Sequence, residues 1–234
     1  MLRQSSHGLT SPIPLRLAAP PPFELWLMAL HELPSPESLA TLSRFEHERA
    51  ARFVFERDRR RYLASHCALR QLLSSRIGTA AAQLVFDDGP FGKPALRNPP
   101  HCAFNLSHSE DVAVVAMADQ GEIGVDVEML RPMPDAIELA RENFSAAECA
   151  ELAATPAEHQ SLAFLLGWTR KEACLKAIGS GLSITPNMFT AGLTLEPRIV
   201  RIATPAGAVS VLVQSLRPNT NIVVSLARIE TERH

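Results

Sequence analysis

The stretch IGVDVE, residues 123–128, sets two acids two positions apart inside an otherwise apolar run. Its alternation predicts a β-strand with Asp126 and Glu128 on one face and Val125 and Val127 on the other. Two carboxylates about 7 Å apart along a strand can converge on a hard cation. Mg²⁺ accepts oxygen ligands and keeps places for water and phosphate. Without a cation the acids repel, and one tends to hold its proton. A solvated sheet face accounts for the same hexapeptide, so from these residues alone both readings stand.

Working outward, CAFNLSH (residues 102–108) and DVAVVAMA (residues 111–118) read as two further β-rich runs, the second joined to IGVDVE by a turn at residues 119–121. FELWLMAL (residues 23–30) reads as the first strand. Ser43 and Glu46 have capping-box spacing and open a helical region in which Tyr62, Leu69, Leu72, Leu73 and Ile77 recur before Gly78, with a break near Phe55. LVFDDGPFGKPAL (residues 84–96) is strand and turn. Beyond IGVDVE, Ser145 and Glu148 form a second capping box. A long helix over residues 158–178 stops at Gly179, and short alternating runs follow at 193–195, 209–213 and 222–226. Helices and strands in each half with few βαβ alternations predict an α+β chain with mostly antiparallel sheets. The expected division is a loose Pro-rich extension over 1–22, an N-terminal α+β subdomain over 23–120 and a C-terminal one over 121–234.

The 234 residues, 46% of them hydrophobic, suffice for one large core or two small ones. No apolar run reaches the roughly 20 residues a membrane span needs, and residues 1–22 are broken by five prolines, so neither signal nor anchor is expected. Cys67, Cys102, Cys149 and Cys174 stand singly, without zinc-finger spacing, as reduced thiols of a cytoplasmic protein would. Charge is unevenly spread. Between Arg44 and Arg76 nine arginines face four acids, and between Asp119 and Glu158 ten acids face two arginines. That asymmetry suits an anionic ligand held between basic groups and an acid-bound metal, or simply two differently solvated surfaces.

GWTRKEACLKAIGSGL, residues 167–182, places Trp168, Glu172 and Lys176 on one helical stripe. An ordinary surface pair between Glu172 and Lys176 contributes only about 0.3 to 0.5 kcal/mol. The helix is apolar around most of its circumference, however, which argues against a fully solvated face. Glu172 can supply a third carboxylate and Lys176 can meet an anion. In FNLSHS, residues 104–109, Ser107 and His108 are strand neighbours and point to opposite faces, so they do not form a nucleophile and base. A phosphate contact from the hydroxyl or imidazole suits them better than a hydrolase dyad, and a polar strand end turning into a loop accounts for them too.

FGKP, FNLSHS, IGVDVE, FSAAE and WTRKEACLKAIGSGL, in this order and spacing, resemble the motif set of the Sfp-type 4′-phosphopantetheinyl transferases over residues 44–182. The resemblance implies a pseudo-dimer of two similar α+β halves with coenzyme A in the cleft between them. It implies transfer of the phosphopantetheine arm of coenzyme A to a serine of an apo acyl or peptidyl carrier protein, with release of 3′,5′-ADP. Asp126, Glu128 and Glu172 match the family's metal acids, for Mg²⁺ or alternatively Mn²⁺. Lys93, Ser107, His108 and Lys176 match positions that contact coenzyme A phosphates, and Arg49 and Arg52 match the basic stretch near the adenosine 3′-phosphate. Glu148 matches a glutamate proposed to deprotonate the serine, and it is also the capping-box partner of Ser145. Lys171 matches a lysine that neutralises charge or assists proton transfer. One departure is Glu46, where the family commonly has lysine. A monomer is expected, with no nucleic-acid or membrane partner. Two competing readings are a metal-dependent phosphohydrolase or nuclease using the same acids, and a silent coenzyme A or carrier-binding protein.

Overall fold

The computed structural model describes residues 13–89, 91–97 and 102–230. Two four-stranded antiparallel sheets form its centre. The first has the order β1-β2-β6-β5, from β1 (Leu15–Leu17), β2 (Glu24–Ala29), β5 (Ala103–Ser109) and β6 (Val112–Ala118). The second has the order β7-β10-β9-β8, from β7 (Ile123–Met129), β8 (Arg198–Thr204), β9 (Gly207–Asn219) and β10 (Ile222–Ile229). A small hairpin, β3 (Phe86–Asp88) and β4 (Pro94–Leu96), stands apart.

Strand alternation divides the core into layers. Leu25, Leu27, Val114, Ala116, Val125, Val127, Val224 and Leu226 form one buried cluster between the two sheets. On the outer face of the first sheet, Met28, Ala113, Val115 and Met117 pack on Leu69, Leu72 and Leu73 of α3 (Glu56–Ile77). On the outer face of the second, Val211, Val213 and Ala227 pack on Ala173, Cys174 and Ala177 of α6 (Ala157–Ile178). Shorter helices precede each long one: α1 (Pro36–Leu39) and α2 (Arg44–Ala50) before α3, and α4 (Ala136–Asn143) and α5 (Ala146–Ala154) before α6.

The two halves repeat one plan. In each, the chain's first major strand pairs with its last, and the last with the one before it, giving β2-β6-β5 and β7-β10-β9. Both long helices have 22 residues and end on a left-handed glycine, Gly78 at φ 74° and Gly179 at φ 70°. A capping box opens α2 through Ser43 and Glu46, and another opens α5 through Ser145 and Glu148. The expected break near Phe55 is the gap between α2 and α3.

Two expectations need correction. The described part of the Pro-rich segment is not loose, because Leu15–Leu17 pairs with β2 as an edge strand; residues 1–12 lie outside the described residues. Residues 193–195 are not a strand. Leu193 packs instead with Phe144 and Phe164 beside α4 and α6. The strand lies at Arg198–Thr204, where exposed arginines and Ile199 interrupt the apolar pattern. No described helix is long and apolar enough to cross a membrane, and all four cysteines are free.

Glu46 explains its own departure from lysine. It is buried, and beyond its cap it accepts from Arg70 at 2.6 Å and contacts His66 at 3.1 Å. Burial opposes its ionisation, yet the hydrogen bonds from His66, Arg70 and Ser43 hold the carboxyl far below the usual carboxylate range. A group depressed by folding stabilises the protein above its unfolded pKa and loses that contribution as pH falls. The thermal midpoint is therefore expected to drop as pH falls below about 4.5, the ordinary value for this carboxyl. Glu46→Gln is expected to shallow that drop in a thermal scan across pH, at the cost of a lower midpoint at neutral pH.

Candidate active site

The acid-bearing face of β7 is covered, not solvated. Gly124, Asp126 and Glu128 share that face, and α6 lies directly on it. A Cβ built at Gly124 would collide with the backbone of Ala173 and Ala177, so only glycine permits this approach. The helix thereby brings Lys176 to Asp126, Nζ to Oδ1 at 2.6 Å. Ser107 of β5 completes a triangle: its Oγ donates to Asp126 Oδ1 at 2.8 Å and accepts from Lys176 at 2.9 Å. Glu128 Oε2 accepts from Ser109 at 2.7 Å and from Arg131 at 2.8 Å.

Electrostatics follow from this crowding. Burial pushes the Asp126 carboxyl up; Lys176 and Ser107 oppose that, and Glu128 adds to it. Glu172 is pushed up by burial and then by the charge of Asp126. Glu172 lines a cavity of about 290 Å³ together with Lys176, Lys93, Phe91 and Leu175, and it is the one carboxylate on that wall among the described residues. Lys93 pairs with Glu122 at 2.7 Å and donates to the Ala177 carbonyl at 3.1 Å, near the end of α6.

The donor set decides what cation the site could hold. Among the described residues no three of His, Cys, Asp or Glu close into a metal cage. Instead Asp126 and Glu128 each have one oxygen held by a serine and a cationic side chain, while Asp126 Oδ2 and Glu128 Oε1 accept no hydrogen bond among the described residues. Single carboxylate oxygens suit Mg²⁺, which brings waters and phosphate oxygens to complete its shell.

Other predicted residues lie around this centre. His108 points to the opposite face of β5, toward α3. Desolvation, then Lys176, Arg61 and His66, hold its imidazole below the ordinary value. Tyr62 stacks on His66 with centroids 4.0 Å apart, and the Arg49 guanidinium lies 5.8 Å from the Tyr62 ring. Arg52 is exposed just beyond α2. A track of basic side chains thus runs from Arg49 past Tyr62 to His66, with His108 within electrostatic reach of His66, Arg61 and Lys176. Trp168 leaves the stripe it shares with Glu172 and packs among the side chains of α4 and α5.

Glu148 and Lys171, the residues expected to serve in proton transfer, pair with one another in the interior. Both are fully buried. Glu148 Oε1 accepts the amides of Ala191 and Gly192 at 2.8 and 2.9 Å, and Oε2 accepts Ser145 and pairs with Lys171 at 2.7 Å. Lys171 also donates to the Pro186 and Phe189 carbonyls at 2.7 and 2.6 Å. Burial opposes ionisation of Glu148, but the Lys171 ammonium and the amides hold its pKa down. The other half holds the same device. Arg70 and Lys171 are each the fifteenth residue of a long helix, and each joins a capping-box glutamate to carbonyls of the following loop, Ala81 and Leu84 in the case of Arg70. A pair repeated where no such site exists is a strut.

The repeat also shows why only one half carries the acids of the site. Ladder register places Trp26 and Met28 where the second half has Asp126 and Glu128, and helix position places Gln71 and Ser75 where it has Glu172 and Lys176. Sequence reasoning missed Gly124, Asn105, Ser109 and Arg131. Asn105, Ser107 and Ser109 do form a polar comb of period two in FNLSHS, the signal that could have found two of them.

A lysine paired with a buried aspartate, two further carboxylates and a track of basic side chains meet at the junction of two α+β halves, an arrangement suited to a phosphate-bearing ligand. Family models agree: residues 122–223 match the 4′-phosphopantetheinyl transferase superfamily and residues 31–120 match the 4′-phosphopantetheinyl transferase N-terminal family. The chain belongs to this superfamily. It is 36% identical to the 4′-phosphopantetheinyl transferase HetI of Nostoc sp., over 87% of this chain and 86% of that protein. It is 38% identical to the 4′-phosphopantetheinyl transferase psf-1 of Bacillus pumilus, over 68% and 67% of the two chains. The corresponding values for Sfp of Bacillus subtilis are 29%, 69% and 70%. The protein is a 4′-phosphopantetheinyl transferase, moving the phosphopantetheine group of coenzyme A to apo carrier proteins.

Proposed function

We propose that this chain is a transferase of the Sfp type, a cytoplasmic monomer that uses Mg²⁺, modifies a carrier serine and releases 3′,5′-ADP. The observation that carries the reading is the Lys176–Asp126–Ser107 triangle, which joins the two halves beside the cavity holding Lys93 and Glu172. We divide the chain near Gly121, a left-handed turn at φ 92° that lies between the two family matches.

Asp126, Glu128 and Glu172 would hold Mg²⁺, which when bound neutralises diphosphate charge. Lys176 and Lys93 bind the diphosphate oxygens and offset the charge that builds on the leaving 3′,5′-ADP. Ser107 orients Lys176 and Asp126 on one side of β5, and His108 donates to phosphate on the other. Arg49 and Arg52 take the 3′-phosphate at the far end of the track of basic side chains. The cleft holds the carrier serine in line with the phosphorus, so that the Ser–O–P bond forms as the diphosphate bond breaks. The serine proton goes to Glu172 or to water upon it, since Glu148 is sealed away.

The test is incubation with coenzyme A, Mg²⁺ and a panel of apo acyl and peptidyl carrier proteins, read by mass spectrometry. A phosphopantetheine adduct on a serine is expected, with an equal amount of 3′,5′-ADP and loss of both in chelator. Accumulation of 3′,5′-ADP with every carrier unmodified would replace the transferase by a hydrolase.

A further inference from the structure

β5 and β7 end different sheets and run side by side, and the polar comb of β5 joins them. Asn105 Oδ1 accepts the Val125 amide at 2.9 Å, and Ser107 donates to Asp126. Ser109 Oγ accepts the Met129 amide at 3.3 Å and donates to Glu128 Oε2 at 2.7 Å. A serine hydroxyl has a single proton. With a lone pair of Ser109 directed at the Met129 amide, that proton is aimed at Glu128. Ser109 is 8% exposed, so its hydroxyl has little water to turn toward.

We propose that Ser109 is a positioning residue for the transfer reaction: it locks Oε2 of Glu128 and leaves Oε1 as the single oxygen presented to the cation. The serine that joins the two halves is thus also the one that sets Glu128. Arg131 meets the same Oε2 from solvent, its side chain 42% exposed, and so reinforces the choice of oxygen without fixing it alone. Groups of this kind, behind the ligands themselves, typically change metal affinity 10- to 100-fold when removed.

The inference rests on Glu128 being a metal ligand, and the experiment separates the two claims. Mn²⁺ binding is titrated by electron paramagnetic resonance, without coenzyme A or carrier, in the wild type, Ser109→Ala, Ser109→Thr and Glu128→Gln. Ser109→Ala is expected to weaken Mn²⁺ binding about 10-fold, Ser109→Thr to restore it, and kcat to fall in Ser109→Ala while KM for coenzyme A stays near wild type. Wild-type Mn²⁺ affinity in Ser109→Ala alongside a loss in Glu128→Gln overturns the positioning role and leaves Ser109 as a joint between halves. Wild-type affinity in Glu128→Gln overturns the metal reading itself. Should Ser109→Ala fail to fold, Ser109→Cys, whose thiol is a weak donor, takes its place with the same expected loss.

Discussion

Lys171→Met is expected to lower the unfolding free energy by about 3 to 5 kcal/mol, the cost of leaving one member of a buried ion pair alone. The variant strips Glu148 of its counter-ion at a site with no exposure and removes the donor of the Pro186 and Phe189 carbonyls. Glu148 keeps its amide donors, so the double variant Lys171→Met with Glu148→Gln is expected to recover part of the loss. Arg70→Met, in the half without the site acids, should show a loss of similar size, because Arg70 and Glu46 repeat the device. Urea unfolding gives the stabilities, and single-turnover transfer well below the midpoint gives the rate. A lasting loss of rate in Glu148→Gln at unchanged stability would favour a catalytic role over a structural one.

The sequence carried the architecture further than the details of the site. Strand period in IGVDVE and the helical stripe of residues 167–182 are local signals, and the surfaces that they define meet in the fold as Asp126 against Lys176. Capping boxes are equally local, and both form. Glu148 shows where such reading ends. A capping glutamate, a general base and half of a buried ion pair share one sequence pattern, and only the arrival of Lys171 and the 191–192 amides distinguishes them. β8 was obscured for a related reason, since an edge strand with exposed arginines has little apolar contrast. The duplication was legible in the order of elements and not in residue identity, because what repeats is geometry. An arginine does in one half what a lysine does in the other, and a tryptophan stands where the other half has an aspartate.

Gly124→Ala is the second large effect, and it acts on the site through backbone alone. Its Cβ would meet Ala173 O, Ala177 N and the Lys176 carbonyl carbon, none of which can swing aside as a side chain end could. Either α6 lifts from β7 or β7 sinks into the apolar layer between the sheets, where Val125 and Val127 have no room to give. Overpacking of this kind costs about 1 to 3 kcal/mol. The kinetic cost is expected to be larger in proportion, since Glu172 and Lys176 ride on the displaced helix. A displacement of about 1 Å in a positioned group can cost on the order of 10²-fold in rate, and kcat for carrier modification is expected to fall by that order with the chain still folded. Gly207→Ala provides the control. It opens β9 just after a turn, with open space around its Cβ but at φ 123°, so Gly207→Ala is expected to lose stability through backbone strain and leave kcat unchanged. Equal kcat for Gly124→Ala and wild type would mean that the contact of α6 with β7 does not set the distance between Lys176 and Asp126.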